Sequence, residues 1–223
     1  TKNVLDACRS AGVRRLIVTS SGAAYGYHAD NPSWLDEDDP LRGNEAFEYA
    51  RNKRRVETML SQWRMDHPAL RQVVFRPGTI VGANVHSPVT DLFEKPFVLG
   101  VAGANSPFVF IWDEDLVACL VGAVLGEKTG VYNVAGDGAL SPLQIARLLG
   151  KPYVPVPAWL LAAALWLLKQ LRVTESGPER VDFLRYRPVL SNRRLKQEFG
   201  YTPRLSSRAA FELYARARGL MPR

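Results

Sequence analysis

The sequence predicts an α/β protein, and its alternation of short apolar runs with helical patterns carries that prediction. Residues 16–20 and 71–76 are rich in β-branched side chains and too short for helices, which is typical of buried strands. Between them, residues 45–66 show helical periodicity, and His67-Pro68 ends that helix. A helix over 113–125, with carboxylates in its first turn, is followed by a third strand over 131–135. Strands that alternate with helices in this way indicate an α/β fold.

The other elements follow from local signals. Residues 2–11 are helical up to Gly12, and Ser141-Pro142 begins a helix that Gly150 ends. Residues 153–157 are extended, while residues 82–106 are loop-rich. Residues 26–44 form a polar loop whose acidic run, residues 36–39, we interpret as solvated. The inner face of the helix over 45–66 is predicted at apolar positions spaced along it: Tyr49, Val56, Met59, Leu60 and Trp63.

Composition excludes several classes of protein. A chain of 223 residues with 47% hydrophobic and 23% charged residues is typical of a soluble globular protein with a proper core. Its net charge of +7 is dispersed over separate helices, so we predict solvated surfaces and no nucleic-acid partner. Cys8 and Cys119 lie in apolar helical patterns and the histidines are scattered, so we predict no disulfide, no metal site and a cytoplasmic location.

The most apolar segment is residues 158–171, which includes Trp159 and Trp166. It is shorter than the roughly 20 residues needed to span a bilayer. We interpret it as a buried or groove-lining helix, with a helix on a membrane surface as the alternative.

Three side chains have the chemistry of proton transfer. Tyr49 and Lys53 are four residues apart, so they share one helix face. An ammonium near a phenol favours the phenolate, which can then act as a general base. Ser21 follows a strand and can hold the substrate oxygen that the tyrosine protonates or deprotonates. A hydride-transfer enzyme needs such a set.

Three motifs in this order resemble the extended short-chain dehydrogenase/reductases, the NAD-dependent epimerase/dehydratase family. They are the strand over 18–21 with Ala24-Tyr25-Gly26, Tyr49-x-x-x-Lys53, and residues 75–82. The resemblance implies an NAD(P)-binding Rossmann-type doubly wound parallel sheet without its N-terminal part, and a smaller C-terminal substrate domain. Residues 1–82 and 113–136 would form the first domain, and residues 83–112 and 137–223 the second.

The resemblance also implies roles for individual residues. Ser21 would orient the substrate, Tyr49 would be the acid/base, and Lys53 would bind the nicotinamide ribose. NAD or NADP would be held by Val18, Thr19, Ser20, Tyr49, Lys53, Pro77, Gly78, Thr79 and Ile80. The substrate would be held by Ser21, Gly22, Ala23, Tyr25, Thr79 and Phe108.

The family's glycine-rich phosphate loop is not found in this sequence, nor is the acidic residue that reads the adenosine ribose. At about 30 residues per βαβ unit, the corresponding part would be on the order of 90 residues long. We therefore expect these 223 residues alone to bind NAD(P) weakly.

Two positions depart from the nucleotide-sugar members of the family. Thr79 stands where they have Asn, and Phe108 stands where they have an Arg for the substrate diphosphate. A replacement Arg would have to come from Arg180, Arg185 or Arg187. Residues 76–80 also resemble relatives that reduce sterols and flavonoids, and an apolar pocket lined by Trp159 and Trp166 would suit such substrates.

We therefore predict an NAD(P)-dependent oxidoreductase or epimerase acting at a secondary alcohol or ketone carbon of a small-molecule substrate, for which an apolar compound is the first candidate. The alternatives are a nucleotide-sugar epimerase or dehydratase, and a non-catalytic nucleotide-sensing protein. The complete Ser21, Tyr49 and Lys53 set favours an enzyme. A homodimer and a peripheral membrane contact stay open.

Overall fold

The computed structural model describes residues 1–172, 177–178 and 180–221. The first half of the chain comprises α1 (Lys2–Ser10), β1 (Arg15–Thr19), a 3-10 helix (Gly22–Tyr25), α2 (Glu48–Asp66), β2 (Arg71–Pro77), β3 (Thr79–Val81), α3 (Asp91–Glu94) and β4 (Val98–Val101). The second half comprises β5 (Phe110–Trp112), α4 (Asp113–Leu125), β6 (Gly130–Val134), α5 (Pro142–Leu149), β7 (Tyr153–Val156), α6 (Ala158–Gln170), α7 (Arg180–Arg185), a π-helical turn (Leu195–Phe199) and α8 (Ser207–Ala217).

The main sheet is parallel, with β2 in its centre. Its strand order is β1-β2-β6, and two further parallel pairs join β3 to β5 and β4 to β7. In the register of the main sheet Val18 lies opposite Val74, which in turn lies opposite Val131. Parallel strands present their carboxyl ends at one edge, where ligands bind in open α/β sheets. The predicted α/β fold with a parallel sheet is confirmed.

Aromatic and aliphatic side chains form the cores on either side of β5. One cluster joins β2 and β6 to α4 and the π-helical turn, with Phe75, Leu116 and Leu195 buried in it. A second cluster is rich in aromatic rings, and Phe110 and Phe211 lie at its centre with no exposed surface. The division of the chain into a sheet domain and a substrate domain remains a proposal.

Several boundaries are set by local chemistry that the sequence displays. Helix α4 has the bounds predicted from its acidic first turn. Helix α5 begins with a capping box, in which the Ser141 hydroxyl accepts from the Gln144 amide at 3.2 Å and the Gln144 side chain accepts from the Ser141 amide at 2.8 Å. It ends at Gly150, whose φ of 63° lies in the left-handed region that suits glycine.

Other boundaries differ from the predictions. Helix α2 begins at Glu48 and not at residue 45, because Phe47 has an extended backbone with φ of −105°. Strand β2 continues through Pro77, and Gly78 then donates its amide to the Val134 carbonyl at 3.0 Å. The region predicted as loop over 82–106 contains α3 and β4.

The inner face of α2 is also rotated from the predicted one. Its buried residues are Ala50, Glu57 and Leu60. Tyr49 and Met59 are 50% and 37% exposed, so their assignment to the inner face was wrong. Each lies one residue, or about 100° of helix rotation, before a buried position.

The acidic run after Asn31 is not a solvated linker throughout, because Glu37 is buried. Strand β6 is the outer strand of its sheet. The Glu37 carboxylate accepts a hydrogen bond from the Asn133 amide of this strand at 2.6 Å. Asn133 also donates its side-chain amide to the Leu35 carbonyl at 3.0 Å. The loop thus covers the open edge of the sheet with polar partners.

Glu37 makes the stability of the fold depend on pH. Burial raises the pKa of Glu37 from 4.5 to about 7, although the Asn133 amide opposes the shift. The folded state then binds this proton more tightly than the unfolded state, so stability falls as the pH rises from about 4.5 to about 7. We expect a loss of at most about 3 kcal/mol across that window.

Urea denaturation at pH 5 and pH 7.5 measures this effect. The Glu37→Gln variant should lose most of the pH dependence, while Asp38→Asn, an exposed carboxylate in the same loop, should keep it. An unchanged slope in Glu37→Gln would assign the titration to another group.

Helix α6 does not lie in a core or groove as predicted. None of its residues is buried, and Trp159 is 72% exposed. In the described parts of the chain, no helix has the length and apolar character needed to cross a bilayer.

Candidate active site

Ser21 lies two residues after the end of β1 and caps the 3-10 helix. Its backbone is extended, and its hydroxyl oxygen accepts a hydrogen bond from the Ala23 amide at 3.1 Å. The 3-10 helix packs against α2. Ser21 is therefore held at the carboxyl end of the parallel sheet, facing the helix that carries the other two predicted catalytic residues.

Lys53 ties α2 to the end of β1. Its ammonium donates to the carbonyl oxygens of Thr19 and Ser20, each at 3.4 Å. The same ammonium lies 5.6 Å from the centre of the Tyr49 ring. Tyr49 itself is half exposed, so its phenol is accessible to a reacting molecule. The structure thus brings the three predicted residues to one edge of the sheet.

Ser20 is turned away from this edge. Its hydroxyl donates to the Glu57 carboxylate at 2.6 Å in a buried contact. Only its main-chain carbonyl is directed at Lys53. Alternation along the chain therefore gives Ser20 a structural side chain and leaves the Ser21 side chain for the site.

Arg76, in β2, shares the Glu57 carboxylate with Ser20, and the sequence predicted no role for it. Its guanidinium forms a fork with the Glu57 carboxylate, at 2.8 Å from Nε and 2.6 Å from Nη2. It also donates to the Tyr25 hydroxyl at 2.7 Å and to the Glu37 carbonyl at 3.1 Å. The sequence did contain a signal for this ion pair: Arg76 lies in a buried strand, where an Arg needs a carboxylate partner.

Tyr25, predicted to contact substrate, is fully buried. Its hydroxyl is within 2.9 Å of the Asp36 carbonyl and of the Asn133 side-chain oxygen. Burial raises the pKa of Tyr25, and Arg76 opposes that shift. Through these hydrogen bonds Tyr25 links the loop over residues 26–44 to strand β6. Its contact with substrate stays a prediction, as do those of Gly22 and Ala23, which are buried beside it.

The predicted nicotinamide segment, residues 77–80, runs from β2 into β3. A Cβ atom on Gly78 would come within 2.8 Å of Val109 Cγ2 and 2.9 Å of the Val109 carbonyl oxygen. Packing alone therefore requires glycine there. Thr79 donates its amide to the same carbonyl at 2.9 Å, and Thr79 and Ile80 are half buried.

The Phe108 side chain has no hydrogen-bond donor for a phosphate, but the guanidinium of Arg187 lies over its ring. The guanidinium carbon of Arg187 is 3.6 Å from the centre of the Phe108 ring and 4.7 Å from that of Phe183. Its Nε and Nη1 atoms are out of contact with solvent and have no hydrogen-bond partner among the described residues. Burial lowers the pKa of Arg187 to about 9, so the group is still cationic at neutral pH. Unpaired buried donors of this kind fit an anionic group.

A chain of aromatic rings lies between Arg187 and Tyr49. Tyr27 lies 5.5 Å from Phe47 and 5.1 Å from Phe183, and Phe47 lies 6.4 Å from Tyr49, between ring centres. Phe183 is on α7, far in sequence from Tyr27 and Phe47, so no local sequence pattern could predict that these three rings form an aromatic wall.

Of the other two candidate arginines, Arg180 is exposed and Arg185 stacks on Tyr186 at 4.7 Å. No metal-binding group of His, Cys, Asp or Glu occurs in the part of the chain that the structure describes.

The parallel sheet with Lys53 and Ser21 at its carboxyl edge defines an α/β protein of the Rossmann type. Residues 1–98 match the model of the NAD dependent epimerase/dehydratase family, which confirms the resemblance.

Solved structures support the fold. UDP-glucose 4-epimerase from Thermotoga maritima with UDP-glucose superposes with a TM-score of 0.69 at 15% identity, over 97% of this chain and 67% of that one. UDP-glucose 4-epimerase from Thermus thermophilus in complex with NAD gives 0.69 at 22% identity, over 98% and 68%.

Curated relatives are longer than this chain. An uncharacterized protein of Mycobacterium tuberculosis (strain H37Rv) is 27% identical over 221 residues, 97% of this chain and 58% of that protein. The N-acetyl-alpha-D-glucosaminyl-diphospho-ditrans,octacis-undecaprenol 4-epimerase of Escherichia coli O157:H7 is 32% identical over 110 residues, 47% of this chain and 32% of that protein. The chain thus spans a little over half of the first relative.

Proposed function

We propose that this chain supplies the proton-transfer and substrate-binding part of an NAD(P)-dependent epimerase or dehydratase. The observation that carries the proposal is the position of Lys53, which is held by two main-chain carbonyls at the end of β1 with the Tyr49 ring beside it. The family match over residues 1–98 supports the same reaction class. A non-catalytic nucleotide sensor is disfavoured, because a protein that only binds nucleotide does not require an accessible Tyr49 phenol next to the Lys53 ammonium.

Each residue then has a chemical role. Tyr49 takes the proton of a secondary alcohol, Lys53 stabilises the phenolate, and Ser21 holds the substrate oxygen through its hydroxyl. The carboxyl ends of β1 and β2 fit a dinucleotide, with Val18, Thr19, Lys53 and residues 77–80 as the holding groups. NAD(P), when bound, accepts a hydride from the carbon and can return it.

For the substrate we propose a sugar carried on a diphosphate. Arg187 supports this, because its guanidinium has buried donors without partners among the described residues and replaces, from another part of the chain, the cation that Phe108 does not provide. The named relatives point the same way, since two act on UDP-glucose and one on a sugar diphospho-undecaprenol. The apolar ketone alternative loses support, because Trp159 and Trp166, the predicted lining of an apolar pocket, are 72% and 55% exposed.

A turnover panel with the full-length protein and NAD or NADP tests the proposal. UDP-sugars, a polyprenyl-diphosphate sugar and apolar ketones are compared, with product formation followed by NMR. We expect turnover of a sugar diphosphate and none of the ketones. Turnover of ketones alone would reject the diphosphate assignment and leave the reaction class standing.

Arg187→Leu in the same panel tests the anion site. Charge-assisted hydrogen bonds of about 1.5–3 kcal/mol predict a rise in KM of roughly ten- to hundredfold for the sugar diphosphate. Arg180→Leu, which removes an exposed cation from the adjacent α7, is the matched control and should change KM little. If the two substitutions raised KM equally, Arg187 would act only through the net positive charge of this region and not through a direct contact with the diphosphate.

A further inference from the structure

Helix α6 leaves a continuous apolar surface open to solvent. Its half-buried positions are Ala158, Leu161, Ala162 and Leu165. The remaining large side chains face outward, with Trp159 at 72%, Trp166 at 55% and Leu167 at 52% exposed. Tryptophans seven residues apart lie on one helix face. Soluble proteins rarely expose so continuous an apolar surface unless it is a binding site.

We propose that α6 docks on the surface of an anionic lipid bilayer, with its outward face in the boundary between headgroups and acyl chains. From Ala158 to Leu168 the helix has no polar side-chain group except the two indole N–H groups. A protein partner would offer about one hydrogen bond per 100–200 Å² and would find few partners here. A bilayer requires none, and tryptophan is enriched at its interface.

Length and charge define how the helix docks. Its 13 residues extend over about 20 Å, which is less than the roughly 30 Å of a hydrocarbon core, so α6 lies in the plane of the interface. Residues 158–172 contain no Asp or Glu, and their charged residues, Lys169 and Arg172, lie at the carboxyl end of α6. This local excess of positive charge is complementary to anionic headgroups.

Docking there would bring the bilayer close to the candidate site. Helix α6 packs against α7, and α7 carries Phe183 of the aromatic wall beside Tyr49. The membrane contact does not depend on the reaction proposed above, so it can be tested without activity.

Vesicle sedimentation of the full-length protein is the test. We expect binding to vesicles of phosphatidylglycerol and phosphatidylcholine in equal parts, weaker binding to phosphatidylcholine alone, and quenching of tryptophan fluorescence by brominated phosphatidylglycerol. Trp159→Glu combined with Trp166→Glu should lower the partition coefficient at least about tenfold. Val117→Glu combined with Val124→Glu is the matched control, since these residues of α4 have the same spacing and are 55% and 61% exposed.

Several outcomes would overturn the proposal. One is a wild-type protein that binds neither vesicle, a measurement that needs no variant to fold. Another is equal loss of binding in the α4 and α6 variants. Concentration-dependent dimerisation that the α6 substitutions abolish, without vesicle binding, would assign the surface to a second copy of the chain instead.

Discussion

Tyr49→Phe is expected to lower kcat by about 10² to 10⁴ while KM for the sugar diphosphate changes little. The substitution removes the phenol oxygen of a side chain that is half exposed and whose ring centre lies 5.6 Å from the Lys53 ammonium. The ring can keep its position against Phe47, whose centre is 6.4 Å away. A proton-transfer role predicts a loss confined to turnover.

Steady-state kinetics of the full-length protein, with NAD affinity measured by calorimetry, checks this expectation. Tyr153→Phe serves as control, because Tyr153 lies in β7, outside the main sheet that carries the site. It should retain most of the activity. If Tyr49→Phe kept wild-type kcat, Tyr49 would not be the acid/base, and the half-exposed phenol would need another explanation.

Arg76→Ala is expected to destabilise the fold by about 3–5 kcal/mol, the largest stability effect that we predict. Arg76 and Glu57 are 5% and 4% exposed, and their fork is surrounded by Tyr25 and Ser20. Burial alone would lower the pKa of Arg76, but the hydrogen bonds and charge interactions with Glu57 and Tyr25 together raise it above its usual value. Removing the guanidinium would leave the Glu57 carboxylate buried without its counterion.

Urea denaturation at pH 7 measures this cost against Arg71→Ala. Arg71 pairs with Glu127, but its side chain is 46% exposed and that of Glu127 is 81% exposed. Exposed pairs contribute about 0–1 kcal/mol. A loss below about 1 kcal/mol in Arg76→Ala would mean that water reaches Glu57 in the variant and replaces the pair.

Local patterns in the sequence predicted the elements well where the signal lies within a few residues. The capping box at Ser141, the left-handed stop at Gly150 and the acidic first turn of α4 are examples. The spacing of Tyr49 and Lys53 likewise placed both on one side of α2, with the ammonium near the ring. These features depend on backbone geometry that neighbouring residues set.

The sequence by itself thus determined the α/β class, most strands and helices, the family motifs and the candidate Ser21, Tyr49 and Lys53 set. Only the tertiary structure decided that Glu37 is buried, that Arg76 pairs with Glu57, that Arg187 covers Phe108 and that α6 faces solvent. The physical reason is the same in each case. Burial and ion pairing depend on which distant segments pack together, and a charged or apolar side chain carries no local mark of whether a partner will cover it.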